Sequence, residues 1–204
     1  MSQQGQGYFC VLEGLDGVGT TTIAGLLKER LMASDLRVRL TAEPTEGAFG
    51  RLLRRHLSKE VHLAPSTAAL VFTADRADHL TSVIRPALAR GRIVISDRYL
   101  LSTLAYQGAG GVAMEAVLAA SEGFDVPDVT FLLELPEEVR RARMSGRDGL
   151  ERYEEPEFDA KLRASYAQAT ALLRSRGHRI ESIDASKSPD DIVTELIVRL
   201  DAGS

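Results

Sequence analysis

Apolar positions along this chain recur in two rhythms. Five short runs, YFCVLE, RVRLT, RIVIS, VTFLLEL and HRIESI, read as buried strands near residues 8–13, 37–41, 92–96, 129–135 and 179–183. Between them the apolar positions fall at helical spacing, first in TTIAGLLKERLMAS and then from Pro65 to Arg90. Gly91 marks the end of that second stretch, and Pro86 predicts a bend or division near Ile84 or Arg85. EPTEGAFGRLLRRHLSKE begins as a loop and becomes a helix. The last helix has a clear start at Ser188-Pro189-Asp190-Asp191: a cap, a first-turn proline, then acids facing the positive end of the helix dipole. Strands alternating with helices predict an α/β fold of three layers, with a five-stranded parallel sheet flanked by helices.

Length and composition keep this to one domain spanning residues 1–204, with no linker of domain-boundary type and no internal repeat. The arginine-rich stretch RARMSGRDGLERYEEPE predicts a mobile lid at about 143–156; a solvated turn between two helices is the plainer alternative. A net charge of −4 gives no reason to expect a nucleic-acid partner. The single cysteine, Cys10, excludes an internal disulfide framework and a cysteine zinc site, and its apolar neighbours predict a buried thiol. MSQQGQG lacks the features of a secretory signal and no apolar run reaches membrane-spanning length, so no membrane association and a cytoplasmic location are expected.

Chemistry concentrates at GLDGVGTTT, which is G-x-x-x-x-G-K-[ST] with one change. Gly14, Gly19 and Thr21 fall in place, and Thr20 stands where the lysine belongs. Between a buried strand and a helix, such a loop curls its N–H groups inward towards an anion. Gly14, Leu15, Asp16, Gly17, Val18, Gly19, Thr20, Thr21 and Thr22 are therefore the candidate ATP-phosphate site, with the Thr21 hydroxyl as a magnesium ligand. RIVISD is an apolar strand running into Asp97, a second candidate for the metal. In an open parallel sheet the ligand crevice lies at the carboxyl ends of the strands, within reach of both Asp16 and Asp97.

DRYLLSTLAYQG (97–108) resembles the D-R-[YFH]-x-x-S-x-x-A-Y-Q signature of thymidylate kinases, and the glycine loop, the Glu43-Pro44 pair and FTADRADH (72–79) occur before it in that family's order and spacing. The resemblance runs from Phe9 to the final helix. It implies a P-loop NTPase fold, ATP as phosphoryl donor to dTMP, Mg2+ and a homodimer. It also implies that Phe72 stacks on the thymine and that Arg76, on the same helix face, bonds a base carbonyl. Arg98 would hold the phosphates between donor and acceptor, where a guanidinium can bridge oxygens. Ser102, Thr103 and Gln107 would contact the nucleotide, and the Tyr106 ring would crowd the sugar 2′ position. Asp16 and Glu43 would flank the acceptor. Arg54 has the offset expected of the acceptor-phosphate arginine, with Arg51 and Arg55 close by.

Thr20 departs from that pattern. Lys28, seven residues beyond Thr21, lies roughly 10 Å further along the helix and cannot easily replace the missing lysine. One subgroup of the family takes its basic residues from the mobile loop, and here Arg143, Arg147 and Arg152 lie there, which marks Arg147 and Arg152 as catalytic candidates and Arg143 as an ATP contact. Two classes stay open at this point: a working kinase, or a nucleotide-binding pseudoenzyme in which Thr20 records lost catalysis.

Overall fold

The five apolar runs form one parallel sheet: β1 Tyr8–Gly14, β2 Val38–Ala42, β3 Ile93–Asp97, β4 Val129–Glu134 and β5 Ile180–Asp184, in the order β2-β3-β1-β4-β5. The computed structural model describes residues 7–144 and 156–201. Every strand falls within one residue of its expected limits. The helices are α1 Thr20–Met32, α2 Ala48–Leu57, α3 Pro65–His79, α4 Arg85–Leu88, α5 Leu100–Ala109, α6 Met114–Ala120, α7 Glu137–Met144, α8 Pro156–Ser175 and α9 Pro189–Asp201.

Alternation along β1 sorts the core into its two sides. Cys10 and Leu12 point to the face covered by α1 and α9, where they meet Leu27, Phe131, Ile183 and Leu196. Phe9 and Val11 point the other way, against Leu80, Ile84 and Tyr99. On that second face α5 and α8 close over β4, burying Leu104, Leu132, Leu162 and Leu173. Each such side chain fully removed from water contributes about 1.5–3 kcal/mol, so both faces must be covered for the sheet to persist. Burial pushes the Cys10 thiol up to about 12, reinforced by the Asp128 carboxylate, which suits the expected structural thiol.

The long helical stretch before β3 divides earlier than Pro86 alone suggests. A π-helical turn, Leu80–Ile84, separates α3 from α4. Proline lacks the N–H, and its ring would crowd the carbonyl four residues back, at Ser82. Widening the turn just before it relieves both demands without leaving helical dihedrals.

Strand order places the crevice. β1 and β3 lie side by side with Leu12 opposite Asp97, so the glycine loop after β1 and the turn after β3 emerge together at the carboxyl edge. Close approach explains the first glycine: a Cβ at Gly14 would lie 2.7 Å from Val18 Cγ2 and 2.8 Å from the Leu133 carbonyl oxygen.

Candidate active site

A cleft of about 660 Å³ opens above β1, β2 and β3. Asp16, Thr21, Glu43, Pro44, Arg54, Phe72, Asp97, Arg98, Ser102, Thr103 and Tyr106 all line it, so eleven residues singled out from the sequence converge on one cavity. Arg76 and Gln107 do not; both are buried, each 1% exposed.

The glycine loop forms one wall. Gly17 and Gly19 take positive φ, as a curled loop requires. The Val18 side chain joins the core beneath the loop, and Leu15 packs against it, so these two residues shape the loop from below. Thr20 is buried, Thr22 is exposed, and Thr21, in the first turn of α1, donates its hydroxyl to Asp97 Oδ2 at 2.5 Å. The other Asp97 oxygen, Oδ1, is buried and has no hydrogen-bond partner among the described residues. An orphaned carboxylate oxygen beside a hydroxyl suits a divalent cation. Among the described residues no group of three or more His, Cys, Asp or Glu converges, so the pair fits magnesium, which keeps waters and phosphate oxygens, better than a metal needing an all-protein cage.

Arg98 occupies the centre. Its backbone φ is +72°, a left-handed conformation rare for a non-glycine residue. Nη1 donates to the Gly14 carbonyl and to Ser102 Oγ, both at 3.0 Å, and to Tyr166 OH at 3.2 Å; Nη2 donates to Asp16 Oδ1 at 2.5 Å. Tyr106 OH donates to the second Asp16 oxygen at 2.7 Å, and Arg98 Cζ sits 5.4 Å from the Tyr106 ring centre. Three side chains from three elements thus hold one another at the junction of loop and cleft.

A second network ties α3 to β2. Arg76 donates through Nε (3.0 Å) and Nη2 (2.7 Å) to Glu43 Oε2, and through Nη2 to Thr103 Oγ1 at 2.7 Å. Its guanidinium lies 4.7 Å from the Tyr99 ring centre. His79 Nδ1 is 3.0 Å from Glu43 Oε1, and its Nε2 is 2.6 Å from Thr41 Oγ1. Asp75 accepts the Thr45 N–H at 2.8 Å and its hydroxyl at 2.6 Å. The chain from Thr41 to Thr45, including the cis Glu43–Pro44 peptide, is therefore pinned by three side chains of one helix. Phe72 shares their face, and Arg54 on α2 pairs with Glu46 at the exposed rim.

Two buried donors at this site have no partner among the described residues: Arg76 Nη1 and Gln107 Nε2. Arg143 Nη2 approaches the Ala185 carbonyl at 3.4 Å. Arg147 and Arg152, with most of the proposed lid, lie outside the described residues.

Several site residues went unassigned by sequence reasoning. Asp75 and His79 sit inside FTADRADH, and their spacing of three from Phe72 and from Arg76 was the available signal. Glu13 was visible as a lone acid closing an apolar strand. Arg140 is buried, donating from Nη1 to the Asp16 carbonyl at 3.2 Å and from Nη2 to Asp159 Oδ1 at 2.5 Å. Nothing local separates it from neighbouring arginines. Tyr166 is one ring on a long amphipathic helix, and its pairing with the Gly14 carbonyl at 3.0 Å is a tertiary fact.

This sheet order, a glycine loop ahead of α1 and a carboxylate at the end of β3 define a P-loop phosphotransferase. A family model described as thymidylate kinase matches residues 12–196. Thymidylate kinase of Leifsonia xyli subsp. xyli is 42% identical over 204 residues, covering 96% of this chain and 95% of that protein. A probable thymidylate kinase of Pyrobaculum aerophilum is 38% identical over 195 residues, covering 94% and 97%. The solved thymidylate kinase of Candida albicans superposes with a TM-score of 0.81 at 26% identity, covering 98% of this chain and 95% of that one. The chain belongs to the thymidylate kinase family.

Proposed function

We propose that this protein transfers the γ-phosphoryl group of ATP to dTMP, giving ADP and dTDP for dTTP synthesis. The observation that carries the reading is the Asp16–Arg98–Tyr106 cluster, set where the glycine loop meets the cleft. Phosphoryl transfer asks for little covalent participation by the protein; it asks for alignment and for stabilised charge. Arg98 answers both demands. Its guanidinium is already oriented by Gly14, Ser102, Tyr166 and Asp16, so little reorganisation remains when charge moves between donor and acceptor oxygens. Thr21 and Asp97 would hold Mg2+, which supplies charge neutralisation on the nucleotide phosphates.

On the acceptor side Phe72 stacks on the base and Arg54 meets the acceptor phosphate, while Tyr106 crowds the sugar 2′ position and favours deoxyribose. Arg76 and Gln107 offer Nη1 and Nε2, two buried donors suited to a base with carbonyl acceptors. Arg143, Arg147 and Arg152 supply the positive charge that Thr20 does not. The protein acts in the cytoplasm as a homodimer; Leu70 on α3, 63% exposed, belongs to the apolar surface a second copy would cover.

A coupled ADP-release assay with dTMP, UMP, CMP and AMP tests the reading. Turnover strongly favouring dTMP is expected. Equal rates with dTMP and CMP would overturn the acceptor assignment. Absence of turnover with every monophosphate, cured by Thr20→Lys, would make the chain a nucleotide-binding pseudoenzyme.

A further inference from the structure

Arg98 is held at its backbone as tightly as at its side chain, and the group responsible lies on another element. Among the described residues three non-glycine residues have positive φ: Asp35, Lys59 and Arg98. Asp35 and Lys59 are exposed residues of turns that follow helices. Arg98 lines the cleft, where a conformation rare for a side-chain-bearing residue persists only if its surroundings determine it.

Five hydrogen bonds do so. The Arg98 N–H donates to the Leu12 carbonyl at 2.9 Å, and Ser96 Oγ donates to the Arg98 carbonyl at 2.8 Å. The next N–H, of Tyr99, donates to Glu13 Oε1 at 2.8 Å. The Ser102 N–H reaches the same oxygen at 3.1 Å, while the Ser102 hydroxyl donates to Glu13 Oε2. Tyr99 is the N-cap residue of α5 and contributes no side-chain cap of its own. Glu13, from β1, fills that role: a carboxylate at the N-terminus of a ten-residue helix, taking orphan N–H groups and facing the positive end of the dipole. Its burial is complete, on the strand face it shares with Phe9 and Val11. An ionisable group in that place is costly unless its position does something a leucine cannot.

We propose that Glu13 is a positioning residue for phosphoryl transfer: by capping α5 from β1 it locks the Arg98–Tyr99 peptide, and with Ser96 it keeps Arg98 in the left-handed conformation that aims its guanidinium between the glycine loop and the cleft. The proposal rests on Arg98 as the bridging arginine. It adds that the bridge is set before substrate arrives, through a carboxylate that touches neither nucleotide.

The test is a set of four variants with ATP and dTMP: Glu13→Ala, Glu13→Gln, Ser96→Ala and Leu196→Ala. Leu196→Ala opens the opposite core face, away from the site, and serves as the destabilised comparator. Glu13→Ala lowers kcat about 10²-fold while KM for dTMP stays within about threefold, because misplacement of a transition-state group is felt in kcat. In Glu13→Gln the amide oxygen still accepts both backbone N–H groups, and kcat returns to within about fivefold of wild type. Ser96→Ala removes one of the holds and falls between them, about tenfold down. Leu196→Ala lowers Tm comparably but leaves kcat near wild type. Hydrogen exchange at the Tyr99 and Ser102 amides reads the clamp without activity: faster in Glu13→Ala, protected in Glu13→Gln. Near-wild-type kcat in Glu13→Ala or Ser96→Ala overturns the proposal, as does unchanged amide exchange in Glu13→Ala. Equal loss in the Gln and Ala variants would mean charge rather than position. A kcat loss in Leu196→Ala as large as in Glu13→Ala would reduce Glu13 to a structural cap. Should Glu13→Ala fail to fold, Ser96→Ala and Glu13→Gln still decide. A wild-type enzyme idle with dTMP would break the proposed function alone, and amide exchange would still judge the clamp.

Discussion

The proposed acceptor and donor sides of the cleft are built on opposite plans. On the acceptor side, charges are buried and paired before any ligand is present. Glu43 and Arg76 are 7% and 1% exposed and share two hydrogen bonds, with His79 and Thr103 completing the set. On the donor side the glycine loop supplies backbone and hydroxyls, and Thr20 supplies no charge. Arg140, the buried cation hydrogen-bonded to a loop carbonyl, is committed to Asp16 O and Asp159. A pre-paired network fixes shape at the cost of desolvation. Charge delivered from a separate segment costs nothing in the free protein and arrives only with the nucleotide.

That difference breaks most visibly under removal of the loop arginines. Replacing Arg147 and Arg152 together with alanine should lower kcat by on the order of 10³, the scale of an arginine supplied from a separate segment. KM for dTMP should change little, and adding Thr20→Lys should recover part of the loss. Steady-state kinetics of the double and triple variants check this. Undiminished kcat in the double variant would mean that the donor side is charged from somewhere else.

The acceptor plan predicts a loss of stability as well as of activity. Arg76→Ala leaves Glu43 buried beside His79 without its guanidinium, and should destabilise the fold by about 3–5 kcal/mol. Denaturant unfolding at neutral pH measures it. The same variant should lose discrimination between dTMP and CMP, since a site that bonds a base edge rejects the wrong base only while its donor is present. A stable Arg76→Ala enzyme would show that the Glu43 cluster tolerates an unpaired charge.

Glu13 sharpens the comparison through pH. Burial pushes its carboxyl up from 4.5 to about 7, against the pull of the Ser102 hydrogen bonds, the Arg98 charge and the Tyr99 N–H. A carboxyl whose folded value lies above its unfolded one keeps a proton that the unfolded chain releases. Stability attached to it is therefore complete below about 4.5, declines as pH rises towards 7, and is constant beyond. The amount is on the order of 3 kcal/mol. Glu13→Gln cannot titrate, so its stability relative to wild type should improve from pH 5 to about pH 7 and level off above it in parallel urea melts. A pH-independent difference would remove this assignment.

How far the sequence alone reached differs between these parts for physical reasons. Strands announced themselves because both faces of a parallel sheet are covered, which forces continuous apolar runs. Thr21 and Asp97 were legible because they stand beside the ends of such runs, where the topology puts a crevice, while Arg98 was reached only through the family resemblance. Phe72 and Arg76 came from the same resemblance, supported by their shared helix face, but the partner of Arg76 did not: Glu43 lies 33 positions away, and only packing of α3 on the end of β2 brings them together. Tyr166 and Arg140 carry no local mark at all. The π-turn was half legible, since Pro86 signals the disturbance and the backbone chooses how to absorb it upstream.

The smallest effect concerns the rim, where the acceptor plan gives way to solvent. Arg54 is 42% exposed at its side chain and pairs with Glu46, which is 88% exposed. An exposed pair of this kind is worth under about 1 kcal/mol, so Arg54→Ala should scarcely move the unfolding midpoint. Its activity should fall through binding instead. An arginine that meets the acceptor phosphate in ground state and transition state alike contributes uniform binding, so its loss raises KM for dTMP about tenfold while kcat holds. Arg51 and Arg55 lie on the same helix. Arg51 is turned to the Glu46 carbonyl at 2.6 Å and Arg55 to Glu60 at 3.4 Å. Of the two, Arg55 also lines the cleft and Arg51 does not. Arg51→Ala should therefore leave KM unchanged, and Arg55→Ala should raise it by less than Arg54→Ala. If Arg55→Ala shows the larger rise, the acceptor phosphate is held one position further along α2 than the Glu43-Pro44 offset indicates.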